Sequence, residues 1–226
     1  MNNLPTVTKN LLIINVLCFL GCLAAERNGV DLNDLFGLHF FLASDFKLYQ
    51  LISYMFMHAN FQHLFFNMFA VWMFGRTLEQ VQGPKRFLTY YMVCGIGAGL
   101  VQELVQYVVY ATQLSHYDSV STGLSIIPMR EYLNLMTTVG ASGAVFGILL
   151  AFGMTFPEIR MFVFPLPFPI KAKFFVIGYA VIELLSGLES SSDGVAHFAH
   201  LGGMIFGFLL MMYWKKKNNN HGQFYY

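Results

Sequence analysis

Long apolar runs alternate with shorter polar segments along most of the chain. A helix needs about 20 predominantly apolar residues to cross a bilayer, and the hydrocarbon core forces the backbone into helices because it offers no hydrogen-bond partners. Six runs approach that length, so the pattern predicts an all-α polytopic bundle with six transmembrane helices. The predicted helices cover about residues 10–25, 50–75, 87–111, 135–156, 173–188 and 195–214.

Three connections between these runs differ in character. Segment 26–49 mixes leucine and phenylalanine with aspartate, so we expect it to lie in the outer membrane interface. Segment 112–134 is polar and is expected to be an ordinary outer loop. Segment 157–171 contains four prolines and is expected to form a stiff turn on the opposite side of the membrane.

Lysine and arginine gather on one side of this predicted topology. Ten of the 13 basic residues fall on the side that holds both termini, and three fall on the other. The positive-inside rule assigns the richer side to the cytoplasm. We therefore expect both termini, with a polar tail over 215–226, to be cytoplasmic. The ten residues are Lys9, Arg76, Lys85, Arg86, Arg160, Lys171, Lys173, Lys215, Lys216 and Lys217.

The composition is typical of a membrane protein. Of 226 residues, 56% are hydrophobic and 11% are charged, whereas a soluble domain has about 25% charged residues. These values and a mean hydropathy of +0.55 favour one membrane domain over 1–226, with its core at about 10–214. A net charge of +1 gives no basic face for nucleic acid. The three cysteines lie inside apolar runs, which argues against disulfides and thiolate metal sites.

Polar side chains inside the predicted helices are costly and point to function. His63 and Asn67 are four residues apart and therefore share one face of the second helix. Ser142 is predicted about two turns into the fourth helix, and His200 at the outer end of the sixth. Because all three helices enter from the outside, these side chains are predicted to reach similar depth and form one site. His58, about 140° around the helix from His63, is expected at the outer mouth.

These residue types suit acyl transfer to a serine hydroxyl. Ser142 lies among small residues, which leave its hydroxyl uncovered, and a serine at a helix start has free N–H groups beside it that can hold an oxyanion. His200 is predicted to accept the serine proton, and the Ser142 N–H with His63 and Asn67 to stabilise the oxyanion. The alternative for segment 138–147 is a small-residue face that only packs helices together.

Neighbouring residues are predicted to hold this pair together. No aspartate lies at this depth to orient His200, so we expect a Ser–His dyad rather than a triad. Phe146, one turn beyond Ser142, is expected either to stack on the His200 ring or to pack in the core. Glycines are expected to press the sixth helix against the fourth, Gly203 and Gly207 on one and Gly143 and Gly147 on the other.

Four motifs resemble those of the rhomboid family of intramembrane serine proteases. Segment 140–143 resembles the GxSG nucleophile motif, and 199–207 resembles the AHxxGxxxG motif of the sixth helix. Segment 63–67 resembles the HxxxN oxyanion motif, and 75–79 resembles a GxxxE element at the end of the second helix. Each motif alone is weak, but their order and their placement on the predicted helices are specific.

The resemblance implies an intramembrane serine endopeptidase. It would cut other membrane proteins in or near their transmembrane segments, with a small residue before the cut and with no cofactor or metal. Ser142 is the implied nucleophile, His200 the base, and His63 and Asn67 the oxyanion donors. The implied supporting residues are Gly140, Gly143, Phe146, Gly203 and Gly207.

The resemblance also implies a location. A minimal six-helix form is compatible with a bacterial inner membrane, with the site open to the outer side, a first loop at 26–49 embedded in lipid and a cap at 188–196. The implied partners are transmembrane substrates and the bilayer, whereas no natural substrate or oligomeric state follows. The family often has Trp-Arg at the end of the first loop. This chain has Tyr49 and Gln50 there, which bears on loop anchoring and not on catalysis.

Two other functions fit parts of the pattern. Histidines of the second and sixth helices could line a metal site or a metal transporter, since histidine is the commonest metal ligand. That function leaves Ser142 and Asn67 unexplained. The other is a non-catalytic rhomboid-like binding module, although such relatives usually lose the serine or the histidine. The metal alternative would use His58, His63, His197 and His200.

Three acidic residues and one histidine stay outside the predicted site. Glu79 is expected to cap a helix or to form an ion pair near the cytoplasmic side. His197 is expected to be a mouth or packing residue. No role follows from the sequence for Glu103 or Glu183.

Overall fold

The computed structural model describes residues 4–123, 125–163, 167–188 and 196–220, with side chains described as far as residue 217. Most of these residues are helical. The helices are α1 (Thr6–Glu26), α2 (Leu32–Phe36), α3 (Gln50–Ser53), α4 (Phe61–Ala70), α5 (Arg76–Gln82), α6 (Pro84–Val109), α7 (Met129–Leu135), α8 (Ser142–Thr155), α9 (Ala172–Leu188) and α10 (His197–Asn220).

The described residues contain three short antiparallel strand pairs, one of which joins distant parts of the chain. β1 (Leu38–His39) pairs with β4 (Thr137–Thr138) and so connects the first loop to the segment that precedes α8. The other two pairs each close a local connection. They are β2 (Ser119–Ser121) with β3 (Ile126–Pro128), and β5 (Arg160–Met161) with β6 (Ile170–Lys171).

Three helices within the described ranges are long and apolar enough to cross a membrane: Thr6–Glu26, Pro84–Leu114 and His197–Lys217. Helix α8 is apolar but shorter, and α9 has 17 residues. Many large apolar side chains are exposed on the outer surface of the bundle, including Leu17 and Leu20 of α1, which suits contact with lipid. The chain is therefore membrane-embedded, and six transmembrane helices remain a prediction.

The prediction of one continuous second helix over 50–75 is wrong. A 3-10 turn at Tyr54–Phe56 ends the first part. The Asn60 side chain then accepts the backbone N–H of His63 at 2.8 Å and caps α4. The backbone of Asn60 is extended, with φ of −161°, so the helical path breaks there. A π turn at Val71–Gly75 links α4 to α5.

The prediction of a fourth helix over 135–156 is wrong at its start. Helix α8 begins at Ser142, because Thr137–Thr138 before it is held extended by pairing with Leu38–His39. Gly140 has a φ of +132°, which lies outside the helical region. Ser142 is therefore the first residue of α8 and not two turns inside a helix.

The ends of the bundle differ in smaller ways from the predicted bounds. Helix α1 begins at Thr6 because the Glu79 carboxylate accepts the N–H groups of Val7 at 2.9 Å and Thr8 at 2.7 Å. This is the capping role expected for Glu79. Helix α10 continues into the predicted polar tail as far as Asn220, and residues 215–220 contain neither glycine nor proline. Residues 221–226, and 189–195 of the predicted cap, lie outside the described residues.

The first loop is tied to the bundle by two buried polar side chains. Gln50 is 1% exposed, and its amide accepts the Lys47 N–H at 2.9 Å and donates to the carbonyl of Asp45 at 3.1 Å. Glu103 on α6 accepts the N–H of Phe41 at 2.8 Å. Gln50 thus links separate parts of the first loop, and Glu103 ties that loop to α6.

Candidate active site

Backbone contacts on both sides place Ser142 at the start of α8. The pairing of β1 with β4 fixes the approach to Gly140, and the Gly140 N–H donates to the Tyr54 carbonyl at 2.9 Å. A Cβ on Gly140 would lie 2.8 Å from Nε2 of His63, so glycine is required by space as well as by its positive φ. Glycine here allows the sharp change from strand to helix that presents Ser142.

The structure brings the predicted nucleophile and base together. Nε2 of His200 lies 2.8 Å from Oγ of Ser142, across 58 positions of sequence. His200 is 8% exposed, whereas Ser142 is half-buried. This distance is a hydrogen bond of the kind that a nucleophile and its general base require.

Phe146 lies flat on the imidazole of His200. The two ring centroids are 4.2 Å apart and the ring planes differ by 9°. Of the two arrangements expected for Phe146, the structure has the stacked one, one helical turn beyond Ser142. The contact fixes the plane of the His200 ring relative to α8.

Glycine contacts bring α8 and α10 into backbone contact near Ser142. A Cβ on Gly203 would lie 1.9 Å from the carbonyl oxygen of Gly143, and one on Gly147 would lie 3.2 Å from that of Gly203. The expectation that Gly207 packs against α8 is wrong. A Cβ at Gly207 would lie 2.3 Å from the hydroxyl of Tyr90 on α6, which donates to the Gly147 carbonyl at 2.9 Å and so separates the two glycines.

His63 and Asn67 share one face of α4, and His63 reaches the site. The His63 ring packs against Gly140, two residues before Ser142. Asn67 is buried, and its amide donates to the carbonyl of His63 at 2.8 Å. A primary amide carries two N–H donors, so this bond engages one of them.

The expectation that His58 lies at an open mouth is wrong. His58 is 1% exposed. Its ring packs edge-on against the ring of His63, with the two ring centroids 5.0 Å apart. The helix break before α4 moves His58 off the helical path on which the 140° angle was based. His58 therefore packs behind His63 in the interior.

Glu183 is the site residue that sequence reasoning missed. Its Oε2 lies 2.8 Å from Nδ1 of His200 and 2.7 Å from Nδ1 of His197. The expected dyad rested on the absence of an aspartate at this depth, whereas in the structure a glutamate carboxylate contacts His200, and His197 is not simply a mouth residue. The only signal in the sequence was a glutamate inside the fifth predicted helix, and that does not identify its partner.

These three side chains are also the metal-ligand cluster found in the described part of the chain. Their ligand atoms lie within 4.8 Å of one another. Two ligands of a tetrahedral zinc ion, each about 2.1 Å from the metal, lie roughly 3.4 Å apart. The separations of 2.7 and 2.8 Å between Glu183 and the histidines fit hydrogen bonds instead.

The site is thus a serine hydroxyl hydrogen-bonded to a buried histidine inside a membrane-embedded helical bundle. Residues 45–217 match the family model of the Rhomboid domain. The chain therefore belongs to the rhomboid family.

Curated relatives carry the same family name. Rhomboid protein 1, mitochondrial, of Saccharomyces cerevisiae is 30% identical over 175 residues, covering 74% of this chain and 42% of that protein. Rhomboid protease AarA of Providencia stuartii is 30% identical over 162 residues, covering 69% and 52% respectively. Putative rhomboid protease YdcA of Bacillus subtilis is 28% identical over 162 residues, covering 71% and 66%. The chain thus spans about half the length of the first two relatives.

Proposed function

We propose that this chain is a serine endopeptidase that cleaves membrane proteins in or near their transmembrane segments. The observation that carries the proposal is the 2.8 Å contact between Oγ of Ser142 and Nε2 of His200 in a membrane-embedded bundle. Membership of the rhomboid family and similarity to Rhomboid protease AarA support it. No cofactor takes part in the proposed reaction.

The proposed reaction uses one proton shuttle. Ser142 Oγ attacks the scissile carbonyl while Nε2 of His200 takes its proton. The Ser142 N–H, the His63 ring and the remaining amide hydrogen of Asn67 stabilise the oxyanion, and losing one such donor typically costs about 3–4 kcal/mol of barrier. His200 then protonates the leaving amine. A water molecule, activated by the same histidine, releases the acyl group from Ser142.

The proposed setting is a single membrane domain over 1–226 in a bacterial inner membrane. Both termini lie in the cytoplasm, and the site opens to the outer side, as the distribution of basic residues favours. Substrates are transmembrane proteins with a small side chain before the cut. Gly140, Gly143, Phe146, Gly203 and Gly207 support the site through the close contacts that they allow.

Cleavage of a purified transmembrane test substrate in lipid vesicles tests the proposal. Ser142→Ala and His200→Ala are expected to lower kcat at least ~10³-fold, because nucleophile and base act as one unit. The matched control is Ser115→Ala, which removes an exposed hydroxyl just beyond the end of α6. This variant should cleave the substrate like the parent.

Three results would contradict the proposal. A Ser142→Ala variant that cleaves as fast as the parent would exclude Ser142 as the nucleophile. A parent that binds the substrate but never cleaves it would favour the non-catalytic binding module. Inhibition by a chelator, reversed by added metal, would instead favour the metal site.

A further inference from the structure

Glu183 lies buried in a helix that is otherwise mostly exposed. The buried residues of α9 are Ala172, Val176 and Glu183, and Glu183 is 8% exposed. Removing a carboxylate from water costs several kcal/mol unless it is paired and hydrogen-bonded. The position of Glu183 therefore needs specific partners.

The partners are two imidazole rings of α10. Oε2 of Glu183 is 2.7 Å from Nδ1 of His197 and 2.8 Å from Nδ1 of His200. The other nitrogen of His200, Nε2, faces Oγ of Ser142 at 2.8 Å. His200 is thus held at both ring nitrogens, by a carboxylate on one side and a hydroxyl on the other.

This arrangement selects one tautomer of His200. A carboxylate only accepts hydrogen bonds, so the Nδ1 atom that faces it must carry the proton. Nε2 is then left with its lone pair directed at the hydroxyl of Ser142, which is the form that a general base needs. The Phe146 stack fixes the plane of the ring, but a ring face cannot decide which nitrogen is protonated.

We propose that Glu183 is the positioning residue for His200, and that His197 holds its carboxylate in place. The inference rests on the proposed function of Ser142 and His200. During attack the Nδ1 proton stays on His200, the serine proton moves to Nε2, and Glu183 remains ionised beside the imidazolium. The site is then a Ser–His–Glu triad built from three helices rather than a dyad from two.

Glu183→Gln separates positioning from mere packing. Glutamine keeps the size of the side chain and can still hydrogen-bond to α10. Its amide can donate to Nδ1 and so favour the tautomer with the proton on Nε2, which cannot accept the serine proton. In a soluble serine protease the equivalent Asp-to-Asn change lowers kcat about 10⁴-fold while the geometry stays intact.

The matched control is Glu103→Gln. Glu103 is also a buried glutamate on a helix of the bundle, and it accepts the backbone N–H of Phe41 at 2.8 Å. A glutamine there can accept the same bond. Glu103→Gln therefore removes a buried carboxylate that hydrogen-bonds to Phe41 and leaves the Glu183–His200 contact in place.

The experiment measures steady-state cleavage by the full chain in lipid vesicles, with thermal unfolding of each variant. Glu183→Gln is expected to lower kcat at least ~30-fold with KM within about twofold. Glu183→Asp should recover part of the loss, and Glu103→Gln should stay within about threefold of the parent. In a His200→Ala background, Glu183→Gln should cause no further loss, because the two residues act through one ring.

A second readout does not depend on folding of the Glu183 variants. Proton NMR of the parent with ¹⁵N-labelled histidine should show a strongly deshielded Nδ1 proton that disappears in His200→Ala. Its absence from the parent would overturn the positioning role. So would Glu183→Gln with kcat within threefold of the parent while Ser142→Ala is inactive. Activity of Ser142→Ala would overturn the proposed function, and the positioning role with it.

Discussion

Two regions supply the groups around His200, and they are built differently. At the seam between α8 and α10, backbone meets backbone, since a Cβ on Gly203 would lie 1.9 Å from the Gly143 carbonyl oxygen. Helix α9 has open space at Gly178 instead. A Cβ on Gly178 would meet nothing within 4 Å, and Glu183 is one of its few buried residues.

The two regions meet different geometric requirements of the proposed site. Ser142 and His200 must hold a fixed distance, and close helix contact without side chains provides it. Glu183 needs only to reach Nδ1 of His200, and hydrogen bonds to two histidines hold it there. In the proposed site, the seam thus sets the distance between Ser142 and His200, while α9 contributes the orientation of His200 through Glu183.

The largest expected effect of the comparison comes from adding a methyl group at the seam. Gly203→Ala should force α8 and α10 apart, lowering kcat about a hundredfold, because an error of about 1 Å in a catalytic geometry costs that much. We expect a loss of stability of about 1–3 kcal/mol. Cleavage rates and thermal unfolding in vesicles measure both.

Gly178→Ala is the matched control on α9. Because open space surrounds it, this variant should keep full activity and gain about 0.5–1 kcal/mol from better helix propensity. Equal changes in kcat and stability for Gly203→Ala and Gly178→Ala would show that close packing at the seam is not what holds the site.

A smaller effect is expected at the ring that covers His200. Phe146→Leu removes the stacked ring but keeps an apolar side chain, and should lower kcat up to about tenfold, since such a ring contact is worth about 0.5–1.5 kcal/mol. Phe146→Tyr keeps the ring face and should stay near the parent. Identical rates for Leu and Tyr would show that the stack observed at 4.2 Å does not orient His200.

The smallest effect is expected at the connection from α8 to α9. Hydrogen bonds from Lys171 and then Lys173 lower the pKa of the exposed Glu158 carboxyl to about 2. A lowered pKa gives stability that is present above the ordinary value of 4.5 and lost as pH falls towards about 2. Because the group is fully exposed, Glu158→Gln should barely change the melting temperature at pH 7.

Thermal unfolding between pH 2 and 7 checks this prediction. The small difference between the parent and Glu158→Gln should shrink only below about pH 4.5. A large difference at pH 7 would show that α9 is anchored at the connection and not through Glu183.

Much of the candidate site could be predicted from the sequence, because residue types and their spacing along helices indicate which side chains share a face. The spacing of His63 and Asn67 gave their common face. The small residues around Ser142 and His200 indicated close helices, which the structure has. These features are local, and helical periodicity translates them directly into space.

Other features depended on contacts that hydropathy does not encode. The cap by Asn60 breaks an apolar run whose composition alone predicts one helix. The start of α8 depends on pairing between Thr137–Thr138 and Leu38–His39, almost 100 residues apart in sequence. Glu183 could not be assigned because its partners lie on another helix, and the relative rotation of two helices is not visible in either one.

The most direct test of the central claim is the labelling of Ser142 by a serine-reactive fluorophosphonate, located by mass spectrometry. The probe requires an activated hydroxyl and no substrate. We predict that the parent is labelled at Ser142, and that His200→Ala loses labelling while Ser115→Ala keeps it. Labelling of Ser142 that is equally fast in His200→Ala, or a parent labelled only at other serines, would contradict the account.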